Sequence, residues 1–158
     1  MSKIFAISDL HFGHARIIEY CNRPFTSVDE MDAALVANWN SVVGDEDTVI
    51  FGGDFQFYKD NRGHFNSLKG RKVLVKGNHD HAIVFGMGWE SIHDILEIKH
   101  SNRKFVICHY PLHSWNRSTH GSTHLYGHVH DNDAPTMNNR YNMCVERINY
   151  TPKLLESF

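Results

Sequence analysis

The sequence predicts an α/β domain built on a mixed sheet or on two packed sheets, and three observations predict it. Short apolar runs alternate with helical stretches through the first half, which is the signature of layered α/β folds. The second half reads as an antiparallel hairpin followed by further short strands. The apolar runs end in glycine or in small clusters of Asp, Asn and His.

Lys3 to Ile7 is predicted as the first strand. Ser27-Val28-Asp29-Glu30 fits a capping box that opens an amphipathic helix through Met31, Leu35, Val36 and Trp39, with Gly44 as its expected end. Val49 to Phe51 and Val73 to Val75 are the next strands, the first running into Gly52-Gly53-Asp54 and the second into Gly77-Asn78-His79-Asp80. Asp94 to Lys99 and Lys104 to Cys108 flank a turn at Ser101-Asn102, and His124 to Tyr126 and Tyr141 to Glu146 are two further expected strands. No repeat, linker or composition break divides the chain, so residues 1–158 are expected to form one domain.

With 41% hydrophobic and 22% charged residues, the 158-residue chain can build a core, which excludes a disordered or fibrous class. A net charge of −2 gives no reason to expect nucleic acid or an anionic membrane as partner. No apolar run approaches the roughly 20 residues of a membrane span, and no leader pattern precedes the first strand; the expected location is the cytoplasm. Cys21, Cys108 and Cys144 are odd in number and widely spaced, which argues against a disulfide framework or a Cys-based zinc site. The 13 histidines stand out and suggest that imidazole has a use.

The chemistry gathers in five segments: Asp9-Leu10-His11, Gly53-Asp54, Gly77-Asn78-His79-Asp80, Cys108-His109 and Gly127-His128-Val129-His130. In open α/β sheets, ligands bind beyond the carboxyl ends of strands, so segments distant in sequence can converge there. Asp9 and His11, like His128 and His130, are two residues apart, a spacing that puts both side chains on one face of extended backbone. Oxygen with imidazole nitrogen suits Mn, Fe, Zn and similar divalent ions. Taken singly, each segment also has a bland reading: Asp-x-His or Gly-Asp as a turn, Asp80 as a helix cap, His109 as a core histidine. Their joint occurrence, each after a strand, outweighs it.

These five ordered blocks resemble those of the calcineurin-like metallophosphoesterases: Asp-x-His, Gly-Asp, Gly-Asn-His-Asp or Glu, His, and Gly-His-x-His. The resemblance spans Asp9 to His130 and implies a four-layer sandwich, two packed mixed sheets flanked by helices. It implies that Asp9, His11 and His130 hold one metal, that Asn78, His109 and His128 hold a second, and that Asp54 bridges them. It implies two divalent ions, with manganese the expected one and Fe, Zn, Ni, Co or Mg compatible. The implied catalytic residues are Asp54 and His79, the latter contacting the phosphate and protonating the leaving group, with Asp80 expected to orient it. The nucleophile would be a hydroxide shared by the two ions, attacking in line.

Departures narrow the expectation. Gly53-Asp54 leads to Phe55-Gln56-Phe57-Tyr58 rather than toward the Asp-Arg-Gly of protein Ser/Thr phosphatases, and Asp80 stands where those have Glu. The stretch from His81 to Cys108 has room for a helix and a hairpin but not for a cap domain, so an open cleft is expected. The expected activity is a phosphodiesterase acting on a nucleotide-type or other small diester, with a broad phosphomonoesterase as the alternative and a nuclease or non-catalytic scaffold behind both. A nuclease would draw on Lys69, Arg71, Lys72 and Lys76. Trp115 and Tyr110 are candidates to stack a base and Arg16 or Arg117 to pair with phosphate oxygens, with His14 a further candidate substrate contact, against the slightly favoured alternative of aromatic rings packed in the core and solvated cations.

Overall fold

Parallel strands β1 (Ile4–Ile7), β2 (Thr48–Phe51), β3 (Arg71–Val75) and β4 (Ser91–His93) form a sheet in the order β4-β3-β2-β1, extended beyond β1 by a short antiparallel strand, β9 (Lys153–Leu154). The second sheet has the order β5-β6-β7-β8. In it β5 (Ile95–His100) runs antiparallel to β6 (Arg103–Cys108), while β7 (Thr123–Tyr126) and β8 (Arg140–Asn142) run parallel to β6. These elements come from a computed structural model that describes residues 1–57, 60–132 and 134–158, so Tyr58 lies outside the described residues. The fold is the expected α/β architecture with two mixed sheets.

Alternation along the strands explains the layering. Phe5, Ile7, Val49, Phe51 and Leu74 face the helices α1 (Ala15–Tyr20), α2 (Val28–Val42), α3 (Arg62–Ser67) and α4 (Ala82–Phe85), which contribute Ile17, Leu35, Phe65 and Val84 to the same core. Ala6, Ile50 and Val75 face the other way, onto Phe105, Ile107, Leu125 and Met143 of the second sheet. Strands buried on both faces read as continuous apolar runs, which is why β1 and β2 are so plain in the sequence. The outer face of the second sheet is covered by a loop with one 3-10 turn, Ser118–His120, in which Trp115 packs on His124 at 5.2 Å between ring centroids. Among the described residues no helix is long and apolar enough to cross a membrane.

Several expected boundaries change. Ser27 caps α2 by accepting the Glu30 N–H, and the Glu30 carboxylate reaches back chiefly to Thr26, whose N–H and hydroxyl offer the same oxygen two donors. The helix stops at Val42 and passes through extended Val43, so Gly44 is not a left-handed cap; its N–H is taken by the Asp47 carboxylate. The expected strand from Tyr141 to Glu146 leaves the sheet after Asn142, because Cys144 bridges to Ser8 and Val145–Arg147 turns as 3-10, which buries Glu146. The basic stretch around β3 is largely paired locally: Lys72 donates to the Leu68 and Gly70 carbonyls, Lys76 pairs with Asp94 and Arg71 with Glu90.

Strand register places the polar segments. Ile7 lies beside Phe51 and Phe51 beside Leu74, so the chain after β1, β2 and β3 emerges along one rim. Ile107 lies beside Leu125, which brings out the ends of β6 and β7 together. Asp9 N–H to Gly53 O and Gly127 N–H to His109 O continue the pairing within each rim, while Ser8 N–H to Met143 O, His128 N–H to Asp9 Oδ2 and His109 Nδ1 with Gly52 O tie the two rims together.

Candidate metal centre

At that shared rim the structure gathers two groups of potential ligands. Asp9, His11 and His130 form one, Asp54, His109 and His128 the other, and within each group the ligand atoms lie within 4.8 Å of one another. Asn78 joins the second group, its Oδ1 lying 3.0 Å from His109 Nε2 and 3.1 Å from His128 Nδ1. Asp54 stands between the groups: its Oδ2 is 3.5 Å from His11 Nε2 and 3.4 Å from His109 Nε2.

The backbone, not strand pleating, creates this convergence. The two-residue spacing of Asp9 and His11, and of His128 and His130, was expected to act in extended chain. Instead all four have positive φ, 61°, 54°, 72° and 51°, and Asp54 has 61°. Left-handed backbone is uncommon outside glycine and costs of the order of 1–3 kcal/mol per residue, so its concentration at five of seven candidate ligands marks strain held for function. Leu10, between Asp9 and His11, is buried in the core and anchors the turn that presents both.

The carboxylates are held by one oxygen and offered by the other. Asp9 Oδ2 accepts from the Ser8 hydroxyl and the Cys144 thiol and shares the His128 N–H with Oδ1, which faces His11 and His130 at 3.8 Å each. Asp54 Oδ1 accepts the His79 N–H at 2.9 Å, leaving Oδ2 between the two groups. Burial opposes ionisation of Asp9, yet the attraction of the neighbouring His11, His109 and His130 imidazoles holds its carboxyl below the usual range. Asp54 is lowered too, with burial opposed by its hydrogen bond and charge interaction with His109.

The same reciprocity lifts the imidazoles. Burial pushes His109 down, but its hydrogen bond to Asp54 and the charges of Asp9 and Asp54 raise it to about 9. His130, also opposed by burial, is raised to about 10 by bonds with Cys21 and Glu146 and by the Asp9 charge. Carboxylates that draw positive charge onto neighbouring imidazoles make a cation site. The donor set fits a divalent ion on a second count: both ring nitrogens of His11 are buried without a hydrogen-bond partner among the described residues, a costly arrangement unless another group satisfies them. His109 Nδ1 donates to the Gly52 carbonyl at 2.7 Å, which leaves Nε2 as the ligating nitrogen.

Close approach of these loops depends on glycine. Gly53 has φ 98°, and a Cβ there would lie 2.6 Å from Gly77 Cα and 2.9 Å from His109 Nδ1. Gly53→Ala is therefore expected to cost about 1–3 kcal/mol in backbone strain and a comparable amount in overpacking. Urea unfolding would measure it, and an unchanged midpoint would show that the loops can separate freely.

His79, a half-buried side chain, projects beside the first group, its ring 5.7 Å from that of His11 and 5.0 Å from Phe57 between centroids. Asp80 was expected to orient it but is committed elsewhere: its carboxylate accepts from the backbone N–H groups of Asp54, Phe55 and Gly77, stapling the two ligand loops together. A cavity of about 420 Å³ opens here, lined by His11, His14, Arg16, Tyr20, Phe57 and His79. His14 stacks on Phe57 at 4.0 Å and Arg16 lies over the Tyr20 ring. Burial, then the charges of His11 and Arg23, lowers His14 to about 4.

Trp115 and Arg117 are not brought to this place. Trp115 is buried with its indole N–H on Ser122, which removes it from stacking. Arg117 lines a separate, larger cavity of about 680 Å³ with Lys99, Arg103 and Lys104, near the start of β6, whereas His109 follows its end. That cavity has the volume but not the converging ligands. Sequence reasoning missed Tyr20, Arg23 and Glu146, none of which stands in a motif block; only their tertiary neighbours reveal them.

Protein MJ1445 of Methanocaldococcus jannaschii is 39% identical over 166 residues, covering 99% of this chain and 89% of that protein. The gene 66 protein of Mycobacterium phage L5 is 42% identical over 86 residues, 51% of this chain and 41% of the phage protein. Among solved structures, AQ665 from Aquifex aeolicus, described as of unknown function, superimposes with a TM-score of 0.81 at 24% identity over 99% of this chain and 97% of that one. A structure described as a novel archaeal phosphodiesterase aligns with a TM-score of 0.51 at 19% identity, over 90% and 82% of the two chains. No family model matches the chain.

Proposed function

We propose that the chain is a calcineurin-like metallophosphoesterase that hydrolyses small phosphodiesters, with a dinuclear centre on Asp9, His11, Asp54, Asn78, His109, His128 and His130, a reading supported by the five ordered blocks and by the fold shared with the archaeal phosphodiesterase. The observation that carries the reading is Asp54 Oδ2, poised between a ligand of each group at 3.4–3.5 Å. Divalent ions held by these seven residues, manganese for preference, would supply Lewis acidity to a water and to phosphoryl oxygens when bound.

The chain's own residues supply the remainder. The His79 ring makes no hydrogen bond among the described residues, and it reaches the cavity with its backbone tied to Asp54. It can hold a proton for the departing oxygen, the role of a general acid. Among the described residues Arg16 is the one lysine or arginine lining that cavity, with Tyr20 and Phe57 beside it. A monoanionic diester suits this sparse positive lining better than a dianionic monoester, and the aromatic rings suit an apolar or aromatic ester group. His14 and Arg16 are the substrate contacts in this reading. Residues 1–158 act as one uncapped catalytic domain, and three free cysteines suit the reducing cytoplasm.

The test compares bis-p-nitrophenyl phosphate with p-nitrophenyl phosphate in added manganese. The diester is expected to turn over faster. Faster monoester cleavage would favour the phosphomonoesterase reading, and no hydrolysis of either ester with any divalent metal would sink the assignment.

A further inference from the structure

We propose that Glu146, clamped by Arg23, is a positioning residue that seats the cation of the Asp9, His11 and His130 group and leaves the other group untouched; this rests on the dinuclear reading above. Glu146 Oε1 lies 3.1 Å from His130 Nδ1. A carboxylate can only accept, so Nδ1 carries a proton and Nε2, the nitrogen left to ligate, faces Asp9 Oδ1, 3.8 Å away.

Arg23 completes the device. Its side chain is fully buried and donates Nε and Nη2 to the same Glu146 oxygen at 2.9 and 2.8 Å. Nη1 and Nη2 also donate to the carbonyls of Leu10 and Asp9, at 2.9 and 2.8 Å. One guanidinium therefore fastens the left-handed turn carrying Asp9 and His11 and, through Glu146, the ring of His130. All three residues of the first group hang on the pair, and it makes no hydrogen bond or ion pair to Asp54, Asn78, His109 or His128 among the described residues.

Stability alone is a poor reason for the arrangement. A buried ion pair contributes little beyond what apolar side chains of the same volume give, whereas its directional bonds set geometry that apolar side chains cannot. That contrast supplies the test. Arg23→Met with Glu146→Leu keeps a filled interior but removes every directional bond, while Glu146→Gln keeps an oxygen to accept from His130 and Arg23.

Manganese titration of the chelator-treated full chain, followed by calorimetry and electron paramagnetic resonance, reads the outcome. Wild type is expected to bind two equivalents with a spin-coupled signal. The double variant should retain one site at wild-type affinity and weaken the other about 10- to 100-fold, the cost of losing an outer partner of a ligating histidine. Isolated-ion resonance should then appear at intermediate loading, and Glu146→Gln should recover most of the affinity. A folded double variant with both sites unchanged, or with both weakened equally, would overturn the proposal while leaving the dinuclear reading intact. Glu146 Oε2 is buried without a partner, and Cys21, His130 and Glu146 have ligand atoms within 4.8 Å. A third equivalent lost in Cys21→Ser would make Glu146 a ligand instead and also overturn the proposal. Fewer than two equivalents in wild type would sink the dinuclear reading itself.

Discussion

Asp54→Asn is expected to lower the occupancy of both cation sites and to remove most turnover with it. The carboxylate is buried, with Oδ1 engaged by the His79 N–H and Oδ2 facing His11 and His109. An asparagine that keeps the first contact must turn an amide NH₂, a donor with no ligating lone pair, toward the cations. One that flips to offer oxygen loses the His79 bond and still lacks the charge. Removing an outer partner of a ligand costs about 10- to 100-fold in metal affinity, so loss of a charged ligand shared by two sites should exceed that at both. Elemental analysis after dialysis against limiting manganese reads the loss, and circular dichroism of the chelator-treated variant checks that the fold survives. Two ions retained at wild-type affinity would show that Asp54 does not bridge.

His79→Ala is expected to do the opposite: full metal content and turnover lower by roughly 10²- to 10⁴-fold, the usual worth of a general acid. Alanine keeps the backbone N–H that Asp54 accepts, so the carboxylate stays in place. The deficit should also depend on the ester. p-Nitrophenolate departs readily without a proton, whereas an alkoxide does not, so the loss should grow as the leaving group becomes more basic. A loss of equal size across leaving groups would mean that His79 binds phosphate without donating a proton.

The residues differ in how openly the sequence announces them. Asp9, His11, Asp54, Asn78, His109, His128 and His130 stand in short ordered blocks after apolar runs, and the structure collects them at one rim because parallel register aligns strand ends. The hairpin was legible for a local reason: Ser101 and Asn102 take φ of 49° and 62°, a conformation Asn tolerates well. Four- to six-residue helices such as α1, α3 and α4 were not legible, since so few turns carry no periodicity. Asp80 was assigned to the wrong neighbour because adjacency in sequence gave no view of the three N–H groups that Asp54, Phe55 and Gly77 present to it.

What the sequence determined by itself is the α/β alternation, the resemblance to a family and the inventory of candidate ligands, because local periodicity and block order are properties of neighbouring residues. Only the tertiary structure decided that left-handed turns aim the ligands, that Trp115 and Arg117 lie away from them, and that Arg23 and Glu146, 123 residues apart, share one buried contact beneath His130. Such contacts arise where two sheets close on each other, and no local pattern encodes which distant side chains meet there.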